Sequence, residues 1–143
     1  MILVDVNVLL YARFISYRQH PAARDWLELQ LAGPQSVGLP WESLNGFMRI
    51  ATNPKLFETP MTVAEAWLQV KTWISAKTVW IPQAGPRHVE IMDRLIAGRP
   101  FSTKLVSDVH LAAIAIEHDL VVCSADADFG TLNGVRWHNP LAT

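Results

Sequence analysis

An α/β sandwich, with a mainly parallel central sheet flanked by helices, follows from three features of the sequence. Short apolar runs that stop at an acid alternate with longer segments of helical spacing, the runs are too apolar to face water, and the joints between them are short. The 143 residues fit a single domain spanning 1–143, long enough to bury roughly two-thirds of the unfolded surface. No linker, internal repeat or low-complexity segment interrupts it.

The first run, Ile2, Leu3 and Val4, reads as a strand that stops at Asp5, after which the chain from Asn7 resumes with helical character. Ala23, Trp26, Leu27 and Leu31 fall at helical spacing, and Gly33-Pro34 ends that helix. Ser36 to Pro40 is a second short strand. Leu44, Phe47, Met48 and Ala51 then mark the apolar face of a helix that starts near Trp41 and closes at Thr52-Asn53-Pro54. Its opposite stripe, Glu42, Asn45, Gly46 and Arg49, is spaced three and four apart and shares one face, so a polar surface beginning with an acid can line a site.

Past the Pro60 turn, Val63, Ala66, Trp67, Val70, Trp73 and Ile74 predict an amphipathic helix, and Val79, Trp80 and Ile81 a third strand. Val89, Met92, Leu95 and Ile96 pattern the next helix, expected to end at Gly98 and Pro100. From about Leu105 to His118 the chain is apolar on nearly every side, which predicts a buried helix carrying Asp108 near its start. An apolar strand through Cys123 follows, then Asp126 and Asp128, and Val135-Arg136-Trp137 is a last strand.

Bulk properties exclude several function classes. The longest uninterrupted apolar run, Leu111 to Ile116, is far short of the ~20 residues of a membrane-spanning helix, so a soluble protein is expected. The opening MILVDVN has no basic segment and no small-residue cleavage site, and a cytoplasmic location is expected. The one cysteine, Cys123, sits in an apolar run and reads as a buried structural thiol. A formal net charge of −1 gives no overall basic field for nucleic acid, so phosphate binding must be local or carried by a metal ion.

In open parallel sheets, ligands sit beyond the carboxyl ends of the strands. Asp5, Glu42, and Asp126 with Asp128 all follow strand ends, so they project from one edge, where Asp108 can join them. Crowded carboxylates repel unless some protonate or a cation neutralises them. Mg²⁺ or Mn²⁺ suits an all-oxygen site on strand ends, whereas the five histidines show no zinc spacing. A divalent cation there can activate water and stabilise charge on a phosphate during in-line displacement, which is phosphodiester hydrolysis. No nucleophile elbow, phosphate-binding glycine loop or dinucleotide fingerprint is present.

Three stretches, ILVDVNVLLYA, PWESLNGFMRIATNP and VSDVHLAAIAIEHDLVVCSADADFGTLNGVRWHNP, resemble PIN-domain ribonucleases, and more narrowly the VapC-type toxins of bacterial toxin–antitoxin pairs. The similarity runs from Met1 to about Pro140 and implies a PIN-domain-like three-layer sandwich. It implies a metal-dependent endoribonuclease with Asp5, Glu42, Asp108 and Asp126 as the catalytic acids. Asp5, Asp108 and Asp126 would hold Mg²⁺ (Mn²⁺ as substitute) directly or through water, Asp128 is an extra candidate, and Glu42 would help orient the attacking water. Asn7 and Ser124 match the polar positions beside the first and last acids, in a supporting role or as simple caps. The resemblance further implies a homodimer and a VapB-type antitoxin that blocks the acids, with RNA as substrate.

Six tryptophans exceed what a core of this size usually needs, and Trp26 or Trp67 is a candidate for a protein interface. Arg13, Arg18, Arg49 and Lys55 are candidates for RNA phosphates. Two rival readings remain open from the sequence: a catalytically silent PIN fold that binds RNA or protein, and a haloacid-dehalogenase-like phosphatase using Asp5. The second would require an acid where Asn7 stands.

Overall fold

A computed structural model describes residues 1–97 and 99–142. Five short strands, β1 (Ile2–Val4), β2 (Val37–Gly38), β3 (Val79–Trp80), β4 (Val121–Cys123) and β5 (Arg136–His138), form one sheet in the order β3-β2-β1-β4-β5. Every pairing is parallel. Six helices among the described residues join them: α1 (Val6–Arg13), α2 (His20–Ala32), α3 (Trp41–Ala51), α4 (Val63–Ile74), α5 (His88–Ile96) and α6 (Val106–Glu117).

The two-residue period of a strand sorts its side chains between two cores. Val4, Val37 and Leu39 pack against α1 to α4, in a cluster with Leu9, Leu44, Phe47 and Trp73. Leu3 and Val122 face the other way, onto α5 and α6 with Ile91, Leu95 and Ile114. This gives three layers, helix, sheet, helix, and explains why β1 to β4 carry no charged residue until they end, whereas the edge strand β5 is Arg-Trp-His.

The strand order also locates the crevice. From β1 the chain moves outward to β2 and β3, then crosses to β4 on the far side of β1. The reversal falls between β1 and β4, so the loops leaving these strands diverge and open a cleft at their carboxyl ends. Val4 pairs with Cys123, and the Asp5 N–H donates to the Cys123 carbonyl at 3.0 Å. The sheet thereby sets Asp5 beside the loop that carries Ser124, Asp126 and Asp128.

Two helix faces differ from the expected ones. On α5 the inward stripe is His88, Ile91, Met92 and Leu95, whereas Val89 is 73% exposed. A histidine takes the position that apolarity assigned to valine. On α4 the buried stripe is Ala66, Val70 and Trp73, while Val63 and Trp67 are exposed and Trp67 stacks on Trp41 at 6.3 Å between ring centroids. That helix starts with a capping box, Thr62 and Glu65 exchanging side-chain and backbone hydrogen bonds. α5 stops at Ile96 with Ala97 as its cap; the expected terminator Gly98 lies outside the described residues.

The start of α5 is tied to the end of α6. The Glu117 carboxylate accepts from the Gly85 N–H at 2.8 Å and the Arg87 N–H at 2.9 Å. A Cβ at position 85 would push that carboxylate aside, so glycine leaves the contact room.

Candidate functional site

Asp5 sits where β1 turns into α1, and it caps that helix: Oδ1 accepts from the Val6 N–H at 2.8 Å. Its other oxygen, Oδ2, accepts from Ser124 Oγ at 2.8 Å and from Asn7 Nδ2 at 3.3 Å. Ser124, fully buried, also accepts from Asn7 Nδ2 and from the Asp126 N–H, each at 3.0 Å. Asn7 Oδ1 accepts from the Ala125 N–H at 3.2 Å. Asn7 and Ser124 thus fasten the first acid to the loop bearing the last ones. From β5, Trp137 Nε1 donates to the Ser124 carbonyl at 3.0 Å and holds that loop from behind.

Asp108, in the first turn of α6, meets this loop across the crevice. One carboxylate oxygen from each of Asp108, Asp126 and Asp128 lies within 4.8 Å of the others. No second group of three or more metal-ligating side chains comes as close among the described residues. The Asp128 N–H donates to Asp126 Oδ1 at 2.9 Å, and Lys104 Nζ lies 3.6 Å from Asp128 Oδ2.

The electrostatics record the crowding. Burial pushes the Asp108 carboxyl up to about 6, and the charges of Asp5, Asp126 and Asp128 add to the rise while Lys104 offsets part of it. Burial also raises Asp5, against the hydrogen bonds from Ser124 and Val6, and the Asp126 charge raises it further. This donor set fits a hard divalent cation, which would offset the burial and the repulsion that lift both carboxyls.

Asp5, Asn7, Glu42, Arg49, Asp108 and Asp126 border one cavity of about 640 Å³ at the carboxyl edge of the sheet. Ser43 anchors its α3 wall, donating from Oγ to the Val4 carbonyl at 2.7 Å. Gly46 lets α3 approach α1 closely: a Cβ there would stand 3.3 Å from Val6 Cγ2.

No family model matches the chain. Single relatives do. It is 39% identical to Ribonuclease VapC37 of Mycobacterium tuberculosis over 142 residues, covering 99% of each chain. It is 37% identical to Ribonuclease VapC33 of the same species, again over 99% of each. The chain belongs to the VapC ribonuclease family. VapC ribonuclease Mb2897 of Mycobacterium bovis is 34% identical over 99% of this chain and 96% of its own. Solved structures show the same fold. VapBC2 from Rickettsia felis, bound to a DNA fragment from their promoter, superposes with a TM-score of 0.69 at 14% identity, over 97% of this chain and 98% of that one. FitAB bound to IR36 DNA gives 0.62 at 16% identity, over 100% and 97%.

For this VapC-family chain, the remaining expected site residues divide by place. Of the α3 polar stripe, Glu42, Gly46 and Arg49 line the acid cavity, while Asn45 shares with Glu42 a neighbouring groove beside Trp41. Arg13 lies at the far end of α1, about 12 Å of helix beyond Asp5, and Arg13, Arg18 and Lys55 do not line the cavity. Cys123 is buried, and desolvation pushes its thiol up to about 12, as a structural cysteine requires.

The sequence reading missed His110. Its Nε2 lies 2.6 Å from Glu42 Oε2, and it borders the acid cavity. Its Nδ1 lies 3.1 Å from His88 Nε2. The two histidines stand 22 positions apart with no ligand-like spacing, and only the packing of α5 on α6 joins them. The one signal available was that Asp108 and His110 both open the same helix.

Proposed function

We propose that the chain is a Mg²⁺- or Mn²⁺-dependent endoribonuclease toxin that hydrolyses phosphodiester bonds in RNA, acting as one domain over residues 1–143. The observation that carries this reading is the convergence of Asp5, Glu42, Asp108 and Asp126 on one cavity at the sheet's switch point, in a chain of the VapC ribonuclease family. Asp5, Asp108 and Asp126 are the residues we assign to the metal. The tight grouping with Asp108 and Asp126 brings Asp128 into that set. A divalent cation held by these carboxylates would supply Lewis-acid chemistry for hydrolysis of a phosphodiester.

The protein's own groups do the rest. Ser124 and Asn7 keep Asp5 ionisable and aimed, by donating to the oxygen that does not cap α1. Glu42 orients the attacking water from the α3 wall. Arg49, on the same wall, is placed for a phosphate next to the scissile one. Arg13, farther along α1, would reach only a more distant part of the RNA.

Two partners belong to the same reading. A VapB-type antitoxin would neutralise the toxin, as the VapBC and FitAB folds suggest. A second copy would form a homodimer, for which the exposed Trp41–Trp67 stack offers an aromatic surface. No helix among the described residues is long and apolar enough to cross a membrane, and the cytoplasm is the proposed location.

The deciding experiment incubates purified protein with RNA in Mg²⁺ or Mn²⁺, beside Asp108→Asn and an EDTA-treated sample. Cleavage by the wild type alone is expected. Cleavage that survives complete metal removal, or an equally active Asp108→Asn, would sink the reading.

A further inference from the structure

Glu42 lies in the first turn of α3 with its side chain 40% exposed and three rotatable bonds. Left alone, such a side chain samples many rotamers, and fixing one of them costs conformational entropy. One oxygen is nevertheless fixed, through a hydrogen-bonded chain that runs back across two other helices.

The direction of that chain follows from donor and acceptor chemistry. A carboxylate only accepts, so the proton in the 2.6 Å contact with Glu42 Oε2 belongs to His110 Nε2. In a neutral imidazole the other nitrogen then accepts, so His88 Nε2 donates to His110 Nδ1 across 3.1 Å. This leaves His88 Nδ1 as a bare lone pair. That atom is buried without a hydrogen-bond partner among the described residues. The opposite polarity would bury an N–H at the same place, and orphaned donors are the rarer and costlier case. Proton donation therefore runs from His88 to His110 to Glu42.

The far end of the chain is rigidly placed. His88 is the first residue of α5, and the loop before it is bound to α6 twice: by the Glu117 carboxylate on Gly85 and Arg87, and by His118 Nε2 at 2.7 Å from the Gln83 carbonyl. The His88 and His110 rings meet edge to face, 4.8 Å between centroids. At the near end, Glu42 Oε1 accepts no hydrogen bond from the described residues, and both Glu42 and His110 border the acid cavity. One oxygen is held and the other is left for water or substrate.

We infer that His110, itself held by His88, is a positioning residue that aims the Glu42 carboxylate at the cleavage site, so that the orientation of an acid on α3 is set from α5 and α6. This rests on the nuclease reading above, and the test keeps the two apart.

His110→Leu removes the donor, whereas His110→Gln keeps an N–H near the Nε2 position. With the full-length protein on an RNA oligonucleotide, His110→Leu is expected to lower kcat about tenfold with KM within about twofold, and His110→Gln to stay within about threefold of wild type. In a Glu42→Ala background, His110→Leu should change nothing further, because the acid it aims is gone. Independently of any cleavage, side-chain nitrogen NMR of the folded protein should show both histidines as Nε2–H tautomers, with the His110 signal shifting in Glu42→Ala. A full additional loss from His110→Leu without Glu42 would overturn the inference. So would a His110→Gln as impaired as His110→Leu, or a His110 carrying its proton on Nδ1. If the wild type cuts no RNA, the nuclease reading fails, and the NMR result decides the clamp alone.

Discussion

Asp5 and Glu42 stand at the same edge of the sheet and are held in opposite ways. Asp5 follows a central strand, is 8% exposed, and receives hydrogen bonds from Val6, Asn7 and Ser124. Glu42 follows a strand nearer the sheet's edge by way of a helix start, reaches solvent, and has His110 as its partner. The difference teaches how a carboxylate site divides its labour. Of the acids that would carry metal, Asp5 is braced by backbone and buried hydroxyl and Asp126 by the Asp128 N–H, where a shift of a few tenths of an ångström matters. The acid that would handle water is clamped by an imidazole at one oxygen and left free at the other.

The largest effect is expected from removing an acid of the metal set. Asp108→Asn or Asp5→Asn should lower RNA cleavage by a hundredfold or more, on the order seen when a group acting on the transition state is lost. Thermal melts should show both variants still folded. A loss of folded protein would mean that these charges serve the structure and not the chemistry.

Ser124→Ala tests the brace itself. It deprives Asp5 of a donor and leaves Asn7 Nδ2 and the Asp126 N–H without their shared acceptor, so destabilisation of about 1–3 kcal/mol is expected. Denaturant unfolding measures it. Glu42→Gln, on the exposed side of the comparison, should shift stability by no more than about 0.5 kcal/mol. Equal effects from the two variants would erase the distinction between a braced and a clamped acid.

Much of this was legible in the sequence, and the reason is periodicity. ILV before Asp5 and LVVC before Ser124 read as short apolar strands of a covered parallel sheet, which puts the acids after them at one edge, and the sheet order makes both strands central. Helix-face assignments held for α3, whose Leu44, Phe47 and Ala51 are buried as expected. They slipped on α5, because apolarity favoured Val89 for a position that His88 occupies. The same blindness hid the histidine clamp. Spacing rules detect residues that meet within one helix, whereas His88, His110 and Glu42 come from three. Asp128 was only an extra candidate for a related reason: its place among the acids depends on the turn Ala127–Thr131, whose geometry five residues of mixed character do not specify.

A modest effect is expected from the proton that burial and crowding let Asp108 keep. Asp108 has a folded carboxyl raised to about 6 from an ordinary 3.8, so the folded state binds its proton more tightly than the unfolded chain does. Between these two values the native protein carries more bound protons, and stability falls as pH rises. The contribution is fully present below 3.8 and lost by the time the pH has passed through about 6. Because Asp108 is partly solvated, screening should reduce the loss to about 1 kcal/mol. Metal-free protein melted at pH 5 should therefore be slightly more stable than at pH 7, Asp108→Asn should flatten that slope, and added Mg²⁺ should oppose it at pH 7 by neutralising the same charge. A slope unchanged in Asp108→Asn would place the responsible proton elsewhere in the fold.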